Sequence, residues 1–340
     1  MGWELTGWER CGSRLVATVL ALAALAAAGR LWPANVSVAQ MLTEANADLQ
    51  TGQADKALAL IGSLPDGGAN NALAENLACR VNFTMQLWSV ASSHCAQAVR
   101  IEPNNSGYHL WYGRALGEQA HHASFLTAFS LGKQVRAEFE TAVQLNPKNA
   151  EALSDMGSFY VDAPSMMGGG LDKAEGVAKQ LDKLDPARAA KLRAEIAEDR
   201  KDYATVEREL KLSIAASPHP ALQWTSLASF YERRERWTDM EAAIRSAANA
   251  AARDRMAAVA LYDGAGVLLK AKRDPELAAK MLEDYLASPY QSEEAPVFVA
   301  HSRLGRLKQE LGDSEGAQRE RVACQGLARE YKPPAQDTRS

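Results

Sequence analysis

The chain has 340 residues, of which 47% are hydrophobic and 24% charged, and its formal net charge is −4. No basic stripe alternates with aromatic residues, which argues against nucleic acid as a partner. Alternating β-branched runs are nearly absent, so little is available to form a sheet. Alanine-rich stretches such as 247–252 favour closely packed helices. The composition therefore predicts an all-α protein, long enough for two domains or one repeat array.

The N-terminus has the layout of an export signal. Residues 15–28 carry no charge, Arg10 and Arg14 precede them, and the alanines at 26–28 stand before Gly29. A basic region, an apolar run and small residues at a cleavage point are typical of a secretory signal peptide. No second apolar run of this kind follows, so the body of the chain is not expected to be embedded in a membrane.

An uncleaved anchor is the alternative for the same segment, and a buried core helix is a third. The run is shorter than the roughly 20 residues that span a bilayer, unless Leu31 and Trp32 extend it. We interpret residues 1–28 as a signal peptide or N-terminal membrane anchor, and residues 29–37 as a linker. Both main interpretations place the remaining chain outside the cytoplasm, either periplasmic or on the non-cytoplasmic side of a membrane.

A periodic pattern follows, and it is clearest after Ala221. The positions that fit W-x2-L-G-x2-Y, with alanine in place of glycine, are Trp224, Leu227, Ala228 and Tyr231. Ile244 and Ala247 then take a large and a small apolar position of a second helix. These residues resemble the tetratricopeptide-repeat (TPR) family, whose units of about 34 residues form helix–turn–helix pairs. The resemblance implies a right-handed superhelical solenoid.

The same frame predicts about eight repeats over residues 38–331, followed by a flexible tail at 332–340. The expected repeat starts are Val38, Ala72, Ser106, Ala150, Ala187, Ala221, Val259 and Phe298. The small residue that lets helices approach in repeat seven is expected to be Gly266.

Two central repeats are longer than the period. The proline expected at residue 137 in repeat three is Pro147, so ten residues are extra, near 121–132. The proline expected at 181 in repeat four is Pro186, so five are extra, near 163–170. Both inserts fall between the two helices of their repeat, so we expect them on the same edge of the array.

The inserts have two interpretations. They lengthen the helices and make a wide glycine turn, or they form an apolar lid or pocket wall. The residues of such a wall are Phe125, Leu126, Phe129, Met166 and Met167. The region is similar to exported bacterial TPR proteins with long inserts and, in its centre only, to TPR components of TRAP-type periplasmic transporters. The second likeness implies a small apolar or lipid ligand.

The TPR frame places Cys79 and Cys95 at facing positions 8 and 24 of repeat two. An oxidising compartment would let them form a disulfide, and two small buried thiols are the alternative. Cys324 takes a small packed position in repeat eight and is expected to be a buried free thiol. Cys11 precedes the apolar run and would be lost on cleavage.

The resemblance also implies a concave groove lined by the first helices. The groove positions are Asn76, Arg80, Phe83, Leu110, Arg114, Glu118, Ser154, Ser158 and Asp162. Arg80 and Arg114 are equivalent in adjacent repeats. Two guanidinium groups would bind a carboxylate of an acidic partner segment, or would pair with acids on the groove wall.

No residue pattern in the sequence indicates a catalytic or metal-binding site. The six histidines form no metal-binding motif, and no catalytic set is recognisable from spacing, so we predict no catalytic residue, metal or cofactor. The sequence favours a non-catalytic protein–protein interaction scaffold outside the cytoplasm, which binds its partner in the concave groove. The alternative is a periplasmic small-molecule or lipid-binding component whose pocket is formed by the inserts.

Overall fold

A computed structural model describes residues 37–254 and 257–333, which form sixteen α-helices and no β-strand. The chain divides into two units, Met1–Met41 and Leu42–Ser340. Of the first unit, only residues 37–41 are described, and they contain the start of the first helix. The predicted signal or anchor at 1–28, most of the predicted linker and the last residues of the tail lie outside the described residues.

The helices follow one another with short connections. They are α1 (Val38–Gln50), α2 (Ala54–Gly62), α3 (Ala72–Thr84), α4 (Trp88–Ile101), α5 (Ser106–His121), α6 (Phe125–Leu145), α7 (Ala150–Asp162), α8 (Leu171–Leu181), α9 (Pro186–Asp199), α10 (Tyr203–Ala216), α11 (Ala221–Arg233), α12 (Trp237–Arg253), α13 (Val259–Ala271), α14 (Pro275–Leu286), α15 (Val297–Glu310) and α16 (Ser314–Leu327). From α3 onward, successive helices pack against each other as hairpins, and each hairpin packs against the next. The described chain is therefore a helical repeat array.

Asparagine side chains fix the start of several repeats. Asn71, Asn105 and Asn149 stand immediately before α3, α5 and α7, and each accepts a hydrogen bond from a backbone N–H of the first helical turn. Such caps satisfy N–H groups that the helix leaves unpaired, typically worth about 1 kcal/mol each. These three helices consequently begin at the predicted repeat starts.

The turn between the two helices of a repeat has a recurring backbone conformation. The turn has a residue with positive φ in six repeats, namely Gly52, Gln86, Lys201, Glu235, Lys272 and Gly312, and repeat seven has a second at Asp274. A left-handed residue ends a helix by redirecting the chain at its last carbonyl groups. The connections of repeats three and four, at 122–124 and 163–170, are built differently, as expected for the repeats that carry inserts.

The inserts lengthen helices and widen one turn, which is the first of the two interpretations given above. The insert of repeat three extends α6 to 21 residues, the longest helix among those described. In repeat four, Gly169 has no room for a side chain, because a Cβ there would lie 1.7 Å from the carbonyl oxygen of Ala163. Met167 packs on Gly132 of α6, so the two inserted segments contact each other.

Glycines allow close helix contacts inside the array. A Cβ at Gly113 would lie 2.5 Å from the Phe139 ring, and one at Gly157 would lie 2.4 Å from Leu192. In repeat seven the close contact is made by Gly264, against Met281, and not by the predicted Gly266. The residue that makes this contact therefore lies two positions before the predicted one, although α13 begins at the predicted Val259.

The end of the array returns to its beginning. The last helix, α16, contacts α2, and Arg329 donates a hydrogen bond of 2.7 Å to Asp55. Gly52, whose φ is +70°, lies against Val297, leaving no space for a Cβ. The segment that connects α14 to α15, residues 287–296, therefore reaches the first repeats. We call it the connecting segment.

Candidate functional site

A cavity lies where the connecting segment faces repeats two and three, and its volume is about 530 Å³. Its walls combine aromatic side chains with ionisable ones. The main lining residues are Phe83, Trp88, Trp111, Arg114, Glu118, Phe139, Tyr262, Glu293 and Glu294. Three of them, Phe83, Arg114 and Glu118, are predicted groove positions. We call this space the inner cavity.

The aromatic wall of the inner cavity is one connected cluster. The Phe83 ring meets Trp88 edge-on at 5.1 Å and Trp111 at 5.5 Å between centroids. Beneath them, Cys79 and Cys95 are buried at disulfide distance, with 5.2 Å between their Cα atoms, and Phe83 and Trp111 pack against this pair. The cysteine pair therefore lies directly behind the aromatic wall, between α3 and α4. Cys324 is a free, buried cysteine.

Both predicted groove arginines are already paired. Arg80 donates to Glu293 of the connecting segment through Nε, at 2.9 Å, and through Nη2. Arg114 donates to Asp155 and Glu151, each at 2.6 Å. The two guanidinium groups also lie over the Trp111 ring, at 5.5 and 4.9 Å from its centroid. Of the two alternatives raised by the sequence, the structure has the internal pairing.

The pKa of Arg114 reflects this pairing. Burial alone would lower it, but Asp155 and then Glu151 outweigh burial and raise it. The guanidinium is therefore firmly charged and is neutralised by its two acids. It offers little free charge to an acidic partner.

Glu118 and Glu294 differ from the other charged residues of the inner cavity. Among the described residues, no hydrogen bond or ion pair engages either carboxylate. Glu118 lies on α5, one turn beyond Arg114, and Glu294 follows Glu293 in the connecting segment. The two carboxylates without an ion pair among the lining residues are therefore negative, and the nearby Arg303 guanidinium lies over the lining ring of Tyr262, 4.1 Å from its centroid.

The other predicted groove residues are distributed unevenly. Leu110 is only 3% exposed and belongs to the hydrophobic core of repeats three to five, so the prediction that it contacts a partner was wrong. Asn76 is buried as well, with its Nδ2 lacking a hydrogen-bond partner. Ser154 is half-buried, and Ser158 donates to Glu195 at 2.7 Å. Burial and then Asp199 raise the pKa of the Asp162 carboxyl.

The residues of the predicted apolar wall lie on the surface of the inserts. Phe125, Leu126 and Met166 are 74%, 80% and 63% exposed, respectively. Phe129 is half-buried beneath the Lys133 ammonium, 4.5 Å from its ring centroid, and Met167 packs on Gly132. These side chains form an open apolar surface rather than the buried wall of a ligand pocket.

A second acidic region continues from the inner cavity. Burial raises the pKa of the Glu195 carboxyl, with Asp162 and Asp155 adding to the effect against Lys191 and Ser158. Burial likewise raises the pKa of Asp263 to about 6. Arg303 and Lys191 oppose this shift, and Glu294 adds to it. Residues of α9, α13 and the connecting segment thus influence one another across the inner face.

Replacing Asp263 by asparagine is expected to raise the free energy of unfolding by about 2 kcal/mol at pH 7, because the buried charge is removed. Between its ordinary value of 3.8 and about 6, the folded state binds more protons than the unfolded state, so native stability falls as pH rises. The gain should therefore be full above pH 6 and vanish near pH 4. Urea unfolding across this range measures it.

Asp284→Asn is the matched control, since Asp284 is exposed on α14 and pairs only with Lys280. Its effect should stay within about 0.5 kcal/mol at every pH. A loss of stability in Asp263→Asn at pH 7 would show instead that attraction to Arg303 and Lys191 outweighs the cost of burial.

The contribution of the connecting segment could not be found from the sequence. Glu293 lies 213 residues beyond Arg80, in a segment without a recognisable motif. The only available signal was the length of the segment between the helices of repeats seven and eight.

None of the helices in 37–254 and 257–333 is both long and apolar enough to cross a bilayer. Within that part of the chain, no three histidine, cysteine, aspartate or glutamate side chains are grouped so that they could hold a metal ion.

No protein-family model matches the chain, and no curated protein matches it. Among solved structures, the chain is similar to TTC0263, a thermophilic TPR protein of Thermus thermophilus. The identity is 18% and the TM-score 0.47, over 57% of this chain and 98% of that chain. It is also similar to the APC/C hetero-tetramer Cut9–Hcn1, with 14% identity and a TM-score of 0.42, over 87% of this chain and 56% of that chain.

The chain thus spans little more than half the length of the second of these structures. Both TM-scores are below 0.5, so the architecture is assigned from the helix pairing and the recurring turns of the chain itself. On that ground the described residues form a helical repeat array consistent with a TPR protein.

Proposed function

We propose that the protein is a non-catalytic scaffold that binds a segment of a protein partner at the inner cavity. The observation that carries the proposal is the open aromatic wall of this cavity, formed by Phe83, Trp88 and Trp111 of repeats two and three. Large aromatic side chains supply much of the binding energy of protein interfaces, because they bury a large area with few rotatable bonds. Repeat arrays use such inner surfaces for extended ligands.

The proposal includes a location outside the cytoplasm. The charge-free run at 15–28 supports export, and the cysteine pair at disulfide distance supports an oxidising compartment. N-terminal sequencing of the protein from its own host tests export. A new N-terminus near Gly29 is expected for a cleaved signal, and an intact N-terminus in the membrane fraction for an anchor.

A photo-crosslinking residue at position 117 tests the binding surface. Gly117 lines the inner cavity, and a Cβ there meets no atom within 4 Å, so a side chain can begin at this position without a clash. Gly326 on α16 is the matched control, because it is also a helical glycine with open space but lies away from the cavity. We expect a covalent protein adduct from position 117 and none from position 326.

Equal adducts from both positions, or none from position 117, would contradict the proposed scaffold. Native mass spectrometry of the unmodified protein provides a second readout. A retained small molecule in place of a polypeptide would support the alternative of a ligand-binding component.

A further inference from the structure

We infer that the inner cavity receives a lysine or arginine side chain, presented by an extended segment of the partner polypeptide. This inference rests on the proposed scaffold function and names the chemistry of its partner. It reverses the expectation of an acidic partner, which followed from Arg80 and Arg114 alone. The expected charge of the partner changes from negative to positive, because Arg80 and Arg114 are paired with acids whereas Glu118 and Glu294 form no ion pair with a described residue.

The charge of the lining residues favours a cationic group. Three glutamates and one arginine line the inner cavity. The arginine, Arg114, is held by two acids, and Glu293 is held by Arg80. Glu118 and Glu294 carry carboxylates that form no hydrogen bond or ion pair with any described residue. A cationic group placed between the walls would therefore be attracted, and an anionic group repelled.

The aromatic wall also favours a cationic group, independently of the carboxylates. Aromatic faces attract ammonium and guanidinium groups, and the attraction grows when water is excluded. The chain already uses this wall in that way, since both the Arg80 and the Arg114 guanidinium groups lie over Trp111. Phe83, Trp88 and the Glu118 carboxylate also line this cavity.

The volume of the inner cavity limits the size of the group that can enter it. A volume of about 530 Å³ lies within the range of roughly 300–1,000 Å³ of small-ligand pockets. It admits a long side chain with the residues next to it, but not a folded domain. An extended segment is therefore the form in which a partner presents its cation.

Isothermal titration calorimetry with synthetic nonapeptides tests the inference. Four peptides share a glycine–serine framework and carry lysine, arginine, glutamine or glutamate at two central positions. We expect the lysine and arginine peptides to bind about tenfold or more tightly than the glutamine peptide. The glutamate peptide should not bind, and added salt should weaken the binding of the cationic peptides.

Two variants locate the effect. Glu118→Gln and Glu294→Gln should each weaken binding of the lysine peptide by about three- to tenfold, because each removes one free carboxylate without changing shape. Glu315→Gln is the control, since Glu315 is 93% exposed on α16. Equal affinity for all four peptides, or no response to the first two variants, would overturn the inference.

Failure of this inference is distinguishable from failure of the scaffold. If position 117 crosslinks to a partner while the peptides show no preference for positive charge, the scaffold stands and the cation site falls. If neither crosslinks nor peptide binding occur, both fall.

Discussion

Replacing Cys79 and Cys95 together by alanine is expected to lower the free energy of unfolding by about 3 kcal/mol. The sequence separation of the two cysteines is 16 residues, and the loss of loop entropy for a loop of this size gives that value. Alanine leaves the helices themselves intact, because it is the best helix former. Urea unfolding followed by circular dichroism, under oxidising conditions, measures the loss.

The loss should be local as well as global. Because Phe83 and Trp111 pack on the cysteine pair, amide exchange in α3 and α4 should accelerate more than exchange in α11 or α12. Tryptophan emission should shift in the same variant, since Trp88 and Trp111 belong to the wall in front of the bridge. The inner cavity then loses its shape before the rest of the array unfolds.

Treatment with a reducing agent distinguishes a disulfide between Cys79 and Cys95 from two buried thiols. A reducing agent should bring the wild-type protein to the stability of the double variant and leave that variant unchanged. Cys324→Ala controls for loss of a buried sulfur, and this variant should retain the response to reductant. A wild-type midpoint that does not respond to reductant would mean that the two cysteines are not bonded.

The features that sequence could predict are those encoded within one repeat. An asparagine before α3, α5 or α7 and a small residue such as Gly113 act within about 34 residues, and their spacing is visible in one chain. The number of extra residues in repeats three and four was equally visible from Pro147 and Pro186. What the extra residues form was not visible, because a mixed apolar and polar insert such as 121–132 is compatible with a longer helix or a loop.

The features that sequence could not predict depend on distant parts of the chain. Arg80 was predicted to line the groove, but its charge is paired with Glu293, which only the return of the array brings close. Leu110 occupies a groove position by count, yet neighbouring helices bury it in the core. Local rules thus determine the positions of the inner face, whereas its free charge depends on tertiary contacts.

Breaking the Arg80–Glu293 pair from one side is expected to cost about 3 kcal/mol, the second large effect. The two side chains are only 15% and 11% exposed, so Arg80→Met or Glu293→Met leaves a buried charge without its partner. The double variant should lose much less, because two apolar side chains fill the same space without charge. Urea unfolding of the four proteins gives the coupling energy.

The pair Glu315 and Arg319 on α16 provides the surface control. It spans four residues of an exposed helix face at 3.9 Å, so its methionine variants should change stability by less than about 0.5 kcal/mol. If the losses of Arg80→Met and Glu293→Met simply add in the double variant, the contact does not hold the connecting segment in place.

The single variants should also differ in what they do to the inner cavity. Glu293→Met frees the Arg80 guanidinium beside Trp111, so the balance of free charge shifts toward positive and the lysine peptide should bind more weakly. Arg80→Met removes the cation from the Glu293 carboxylate and leaves it a hydrogen bond of 3.0 Å from Gln50, so the same peptide should bind more tightly, although the protein is equally destabilised. Opposite changes in affinity at similar losses of stability are the signature of a charge effect, because damage to the fold alone would weaken binding in both variants.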